Sequence, residues 1–178
     1  MNESGTISLR RASENDYPAI VALTNRAYRH TGEGASWNVE TMIEGERLSE
    51  PQLVADLAAN PDAHLLVWRD DDGEHLGHVW LEPHADRAWY LGLLTVRPDR
   101  QDQGLGRRLL TAAEDYARAH GAGRIEMTVV NRRETLIAWY ERRGYARTGA
   151  TRPWPYDDPA IGRPTVPDLA FVVLSRAI

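Results

Sequence analysis

Residues 91–120 read LGLLTVRPDRQDQGLGRRLLTAAEDYARAH, and the hydrophobic period changes in the middle of this stretch. Leu91, Leu93, Leu94 and Val96 form a short apolar run with a β-branched end, the length of a buried strand. Pro98 and Asp99 interrupt it, because proline cannot donate to a sheet and aspartate favours turns. From Gly104 onward Leu105, Leu109, Ala112, Tyr116 and Ala119 recur at four- and three-residue steps. That spacing predicts one face of a helix, with Gly121 as its stop.

Between strand and helix lies Gln101-Asp102-Gln103-Gly104-Leu105-Gly106. Glycines at a helix start let a ligand approach the backbone, and the free N–H groups of the first turn favour an anion. Arg97, Arg100, Arg107 and Arg108 outnumber Asp99 and Asp102 here, so a pyrophosphate is the expected guest. Two familiar phosphate motifs do not fit. The dinucleotide fingerprint needs a third Gly or Ala where this chain has Leu109, and a P-loop needs a lysine that is absent from this place.

The rest of the chain reads as a soluble globular protein. Its 178 residues suffice for one domain with a sizeable core, residues 1–178 throughout, and no internal repeat or linker divides them. No apolar run approaches a membrane span and residues 1–11 lack a signal-peptide core, which leads to the expectation of a cytoplasmic protein that binds no membrane. With no cysteine, disulfides, thiolate metal sites and a cysteine nucleophile are excluded. A net charge of −5 argues against a nucleic-acid partner. Six histidines without metal-like spacing predict no metal.

Working outward, residues 7–11 read as a first strand, followed by a helix with Ile20, Leu23 and Ala27 inward that ends near Tyr28–His30. Residues 31–50 are irregular, with Trp37 beside Glu33, Glu40, Glu44 and Glu46. A short helix is expected over 51–59, then a hairpin of strands at 64–68 and 75–81, then a strand over 89–96. After the central helix, residues 124–130 read as a strand parallel to the one before it, since a β-α-β crossover connects them. A helix over 134–143 carries Leu136, Ile137, Trp139 and Tyr140 on its apolar side; a strand begins at Tyr145, a proline- and aromatic-rich loop spans 152–159, and the last strand covers 169–174.

The loop, placed after a strand ending Leu94-Thr95-Val96 and at the start of a long helix, resembles the acetyl-CoA signature Gln/Arg-x-x-Gly-x-Gly/Ala of the GNAT family of N-acetyltransferases. Residues 138–145 (AWYERRGY) are similar to that family's second signature, Ala-x-x-Tyr-x-x-x-Gly-Phe/Tyr, with the alanine shifted towards the tyrosine. The resemblance is strongest over 89–145. It implies an α/β (α+β) domain with a mixed sheet of about seven strands, antiparallel in its N-terminal half, splayed at the acetyl-CoA site and covered by helices on both faces. It implies an acyltransferase that uses acetyl-CoA to acetylate a primary amine on a small molecule or peptide by direct attack. A non-catalytic acyl-CoA-binding or regulatory module of the same fold is the alternative, and homodimerisation is left open.

The resemblance also assigns roles by position. Leu94, Thr95 and Val96 would pair with the pantetheine arm, and an N–H near Leu94 would serve the oxyanion. Gln101, Gln103, Gly104, Leu105, Gly106 and Arg107 would hold the pyrophosphate. Tyr140 would protonate the leaving thiolate. Many members carry an asparagine seven residues before this tyrosine; here Arg133 stands there, so Asn131 is the substitute candidate for the arm. Residues 89–96 hold no carboxylate for a general base, which leaves Glu82 as first candidate, with His78 and Glu126 behind it. Trp37 is the candidate acceptor contact, with the neighbouring glutamates as charge complement.

Overall fold

A computed structural model describes residues 7–37 and 39–178; the side chains of Gln101 and Asp102 lie outside the described part, as do residues 1–6. The elements are β1 (Leu9–Arg11), α1 (Tyr17–Arg29), β2 (Ile43–Glu44), α2 (Glu50–Ala59), β3 (His64–Arg69), β4 (His75–Pro83), β5 (Ala88–Val96), α3 (Leu105–Ala119), β6 (Arg124–Val130), α4 (Glu134–Glu141), β7 (Ala146–Pro153), β8 (Arg163–Pro164) and β9 (Ala170–Ala177). Seven strands form one sheet in the order β1-β3-β4-β5-β6-β9-β7, and β2 with β8 forms a separate ribbon. Among the described residues only β5 and β6 run parallel; every other pair is antiparallel. The mixed sheet that the sequence implies is therefore present.

Period-2 alternation explains why both faces are covered. On β3, Leu66 and Trp68 join one core with Leu105, Leu109, Leu110, Ala113 and Ala117 of α3. Leu65 and Val67 point the other way, into a second core with Ile20 of α1 and Leu53 of α2. Leu105 and Leu109 are buried as the spacing predicts, but the inward face continues through Leu110, Ala113 and Ala117. Ala112 and Tyr116 are partly buried and Ala119 is exposed, so the buried stripe is rotated from the one expected.

Two irregularities at the centre of the sheet matter for function. The parallel pairing stops after Tyr90 and Glu126, so Leu91–Val96 stays with β4 while Met127–Val130 stays with β9, and the strands part. On the other side of β5, Trp80 faces Gly92 but His78 faces Thr95. Leu93 and Leu94 thus oppose Val79 alone, a β-bulge, and Leu93 takes φ +48° to make it. The two devices place an uncovered stretch of β5 backbone beside a gap in the sheet.

The entry to α1 is held by Asp16, a nearly buried carboxylate that accepts from Arg10 (2.7 Å), Arg69 (2.9 Å) and the Ser13 N–H (2.8 Å). These donors, Arg10 foremost, hold its pKa well below the usual carboxylate range. A depressed native pKa contributes stability that is complete above the unfolded value near pH 4 and is lost as pH falls towards the native one. Asp16→Asn is expected to destabilise the fold by about 2–3 kcal/mol at pH 7, with the difference from wild type shrinking below pH ~4. Urea unfolding at pH 7 and pH 3 checks this; an equal difference at both pH values would refute it.

Candidate active site

The gap between β5 and β6 opens into two cavities that meet at Tyr28, Leu94, Leu136 and Tyr140. One, of about 270 Å³, lies between β5 and the start of α3. The other, of about 160 Å³, lies over the parted strands and reaches Arg47, Glu40, Arg133, Trp154 and Phe171.

The larger cavity gathers most of the residues that the sequence singled out: Leu94, Thr95, Val96, Gly104, Gly106, Arg107, Tyr140 and Trp37 all line it. Gly104 caps α3 with φ +69°, in the left-handed region that suits glycine, and its carbonyl accepts the first helical bond from Arg108 (3.1 Å). Gly106 packs against Trp139, since a Cβ there would sit 3.6 Å from the indole. The Arg143 guanidinium stacks 3.5 Å over the same ring, and its buried Nε has no hydrogen-bond partner among the described residues. Burial, then the neighbouring Arg142 and Arg107, lowers the Arg143 pKa. A helix start, crowded guanidiniums and an unpartnered donor suit a phosphorylated ligand such as CoA.

Other candidates stand apart from this cavity. Leu105 is buried in the core below the loop, Gln103 is exposed and does not line it, and the Gln101 side chain is outside the described part. Asn131 bonds the Asp168 carbonyl (3.0 Å) and the Ala170 N–H (3.2 Å), which ties it to the approach to β9. Glu82 lines neither cavity; it accepts from Trp80 Nε1 (3.0 Å) and contacts His84 (3.3 Å). His78 is fully buried between Thr24 (2.9 Å) and His75 (3.1 Å), and burial keeps its imidazole neutral. Glu126 pairs with Arg124 (2.9 Å).

Tyr140 occupies the junction. It is buried, packs edge-on to Trp139 and Tyr145, and its hydroxyl makes no hydrogen bond to another described residue. Burial, then the nearby Tyr28, pushes its pKa above the usual tyrosine range, so the phenol carries its proton at neutral pH. Tyr28, from the last turn of α1, faces it across the junction and donates towards the Leu94 carbonyl (3.5 Å).

The smaller cavity holds what sequence reasoning missed. Glu40 is not an available charge complement for an amine. It is buried, with one oxygen taken by Arg29 and the other by Arg133 (2.9 Å). Arg133, standing where many family members have asparagine, thereby becomes part of the wall of this cavity, 5.6 Å over the Tyr28 ring. Arg47 lies 5.5 Å over the same ring. Its backbone N–H donates to Asn25 Oδ1 (2.6 Å), which also accepts from Leu48 N (3.2 Å) while Asn25 Nδ2 donates to the Leu48 carbonyl (2.8 Å). The β2–β8 ribbon roofs this side. Arg29 ties it down through the Gly45 and Ile161 carbonyls (2.9 Å each), and Gly162 passes so close that a Cβ would fall 2.6 Å from Ile43. Trp37, half exposed, stands on the larger cavity instead.

Comparison with known proteins decides the family. The model of the acetyltransferase (GNAT) family matches residues 18–145. The chain belongs to the GNAT acetyltransferase family. The mycothiol acetyltransferase of Beutenbergia cavernae is 31% identical over 135 residues, 75% of this chain and 42% of that protein. This chain thus spans about two fifths of the mycothiol acetyltransferase it matches. The L-methionine sulfoximine/L-methionine sulfone acetyltransferase of Pseudomonas aeruginosa is 31% identical over 146 residues, 80% of this chain and 81% of that protein. A Salmonella typhimurium structure solved with its cofactor acetyl-CoA shares the fold, with a TM-score of 0.64 at 22% identity over 96% of this chain and 93% of that one. Among the described residues no helix is long and apolar enough to cross a membrane, and no cluster of metal-ligating side chains occurs.

Proposed function

We propose that this GNAT protein transfers the acetyl group of acetyl-CoA to a primary amine on a small molecule, with both substrates bound together. The observation that carries this reading is the meeting of two cavities at Tyr140 and the Leu94 backbone, where β5 and β6 part. One sheet with β1 and β7 at its edges, drawing strands from Leu9 to Ala177, supports residues 1–178 acting as a single catalytic unit.

Acetyl-CoA supplies a thioester, whose C–S bond breaks as the new C–N bond forms. The chain's residues then have four tasks. The α3 N-terminus with Gly104, Gly106 and Arg107 holds the pyrophosphate. The uncovered β5 edge at Leu94–Val96 orients the arm, and the Leu94 N–H offers the developing oxyanion a donor, a contribution of about 3 kcal/mol for such groups. Tyr140 gives its hydroxyl proton to the departing sulfur and regains one from solvent. The acceptor's ammonium proton leaves to water, because both oxygens of Glu40 are engaged by arginines.

The relative that acetylates methionine sulfoximine and methionine sulfone, aligned over four fifths of both chains, supports a small-molecule acceptor. Titration calorimetry with acetyl-CoA, followed by thiol release against a panel of amines, tests the proposal. Binding with turnover is expected. Binding without turnover of any amine would favour an acyl-CoA-binding module, and absence of binding would remove the site altogether.

A further inference from the structure

We infer that the acceptor is an amine bearing a carboxylate on the same small molecule, an amino-acid-class substrate, and that Arg47 reads the carboxylate. This rests on the acetyltransferase reading and names the substrate class of its second cavity.

The charges of the acceptor cavity point this way. Arg47, Arg133 and Glu40 line it, and Arg29 reaches the same Glu40 from outside the lining. Glu40 has both oxygens engaged, by Arg29 and Arg133 (2.9 Å), so its charge is already matched by two guanidiniums and that of Arg47 is additional. A bare ammonium would enter a positive cavity and meet no acidic group with vacant oxygens among the described residues. An oxyanion would be welcome there. Arg47 is the cation placed to meet it: among the described residues its guanidinium lies against the face of Tyr28, at 5.5 Å, which leaves its N–H groups available. The Asn25 clamp on residues 47 and 48 fixes the backbone from which it reaches.

A second, independent observation agrees. Trp154 lines the cavity, and its Nε1–H is buried without an acceptor among the described residues. An indole donor left unmade in the interior is unfavourable, and a ligand oxygen would satisfy it. Phe171 stacks on Trp154 at 5.2 Å, so an apolar surface lies beside these donors for a side chain. The volume of about 160 Å³ suits a molecule of amino-acid size, since cavities of about 150 Å³ take up benzene.

The test compares L-phenylalanine, L-leucine and L-methionine sulfone with their decarboxylated amines, by acetyl-CoA-dependent thiol release, in wild type and in Arg47→Ala. For at least one pair the amino acid is expected to exceed its amine about 10- to 100-fold in kcat/KM, as for a hydrogen-bonded charge. Arg47→Ala should erase most of that ratio through a higher KM for the amino acid, and Arg47→Lys should restore part of it. Amines used as well as their amino acids, or a ratio that survives Arg47→Ala, would overturn the inference. Should neither member of any pair react, the acetyltransferase reading itself fails for these amines. Calorimetric titration of the same amino acids into the CoA complex then judges Arg47 separately, and equal or absent binding in wild type and Arg47→Ala overturns its role.

Discussion

Tyr140→Phe is expected to lower kcat about 100-fold while leaving acetyl-CoA affinity within a few-fold of wild type, the range for losing one general acid. The substitution removes a single oxygen from a ring that is buried against Trp139 and Tyr145, so the packing survives. The pH profile separates a proton donor from a structural tyrosine. Burial raises the Tyr140 pKa, so the phenol remains protonated through the range in which amines lose their protons. Wild-type kcat/KM should therefore rise with pH as the acceptor deprotonates and show no falling limb below pH ~10. Poor thiols need the acid most; a thioester with a more acidic leaving thiol should rescue the Phe variant. An unaltered kcat, or a loss that no leaving group relieves, would remove Tyr140 from the chemistry.

The elements around this tyrosine were legible because each is long enough to show a period. The change of spacing at Gly104 predicts α3, which runs Leu105–Ala119, and residues 124–130 coincide with β6. Edges and long-range contacts were not. β7 runs Ala146–Pro153 with every residue exposed, so it carries no alternation, and its end at Arg152–Pro153 reads as loop. The β2–β8 ribbon has two residues per strand, too few for any periodicity. The bulge at Leu93–Leu94 falls inside an apolar run that looks continuous. Glu40 reads as one of four glutamates offered as charge complement beside Trp37, because its partner Arg133 lies 93 residues away, and Glu44 meets Arg163 across 119. Tyr28 looks like the fraying end of a helix, although it forms one side of the junction. The larger cavity takes much of its wall from residues 94–107 and 136–143, the two stretches whose motifs can be read locally, and only its Tyr28 and Trp37 side comes from elsewhere. The smaller cavity draws its charged groups from residues 40, 47 and 133, and only the folded chain brings these charges together.

That division predicts where a single charge does most harm. Gly104→Glu should weaken acetyl-CoA binding at least about 100-fold and leave the acceptor cavity intact. Gly104 lines the larger cavity and not the smaller one. Its position has room for a side chain, the nearest group to an added Cβ being the Arg107 guanidinium at 3.9 Å. Steric exclusion is therefore not the cause. A glutamate there competes with the phosphates for Arg107 and for the positive end of α3, and it repels a polyanion at close range. The residue must also adopt φ +69°, which costs a non-glycine residue about 1–2 kcal/mol. Gly104→Ala shares that backbone strain without the charge, so it serves as the control and should lose far less affinity. Calorimetry at low and high salt completes the argument. The loss in Gly104→Glu should diminish as ionic strength rises, because repulsion between exposed charges is screened, whereas the backbone contribution is not. Equal losses in the Ala and Glu variants, independent of salt, would mean that the phosphates do not lie at the start of α3.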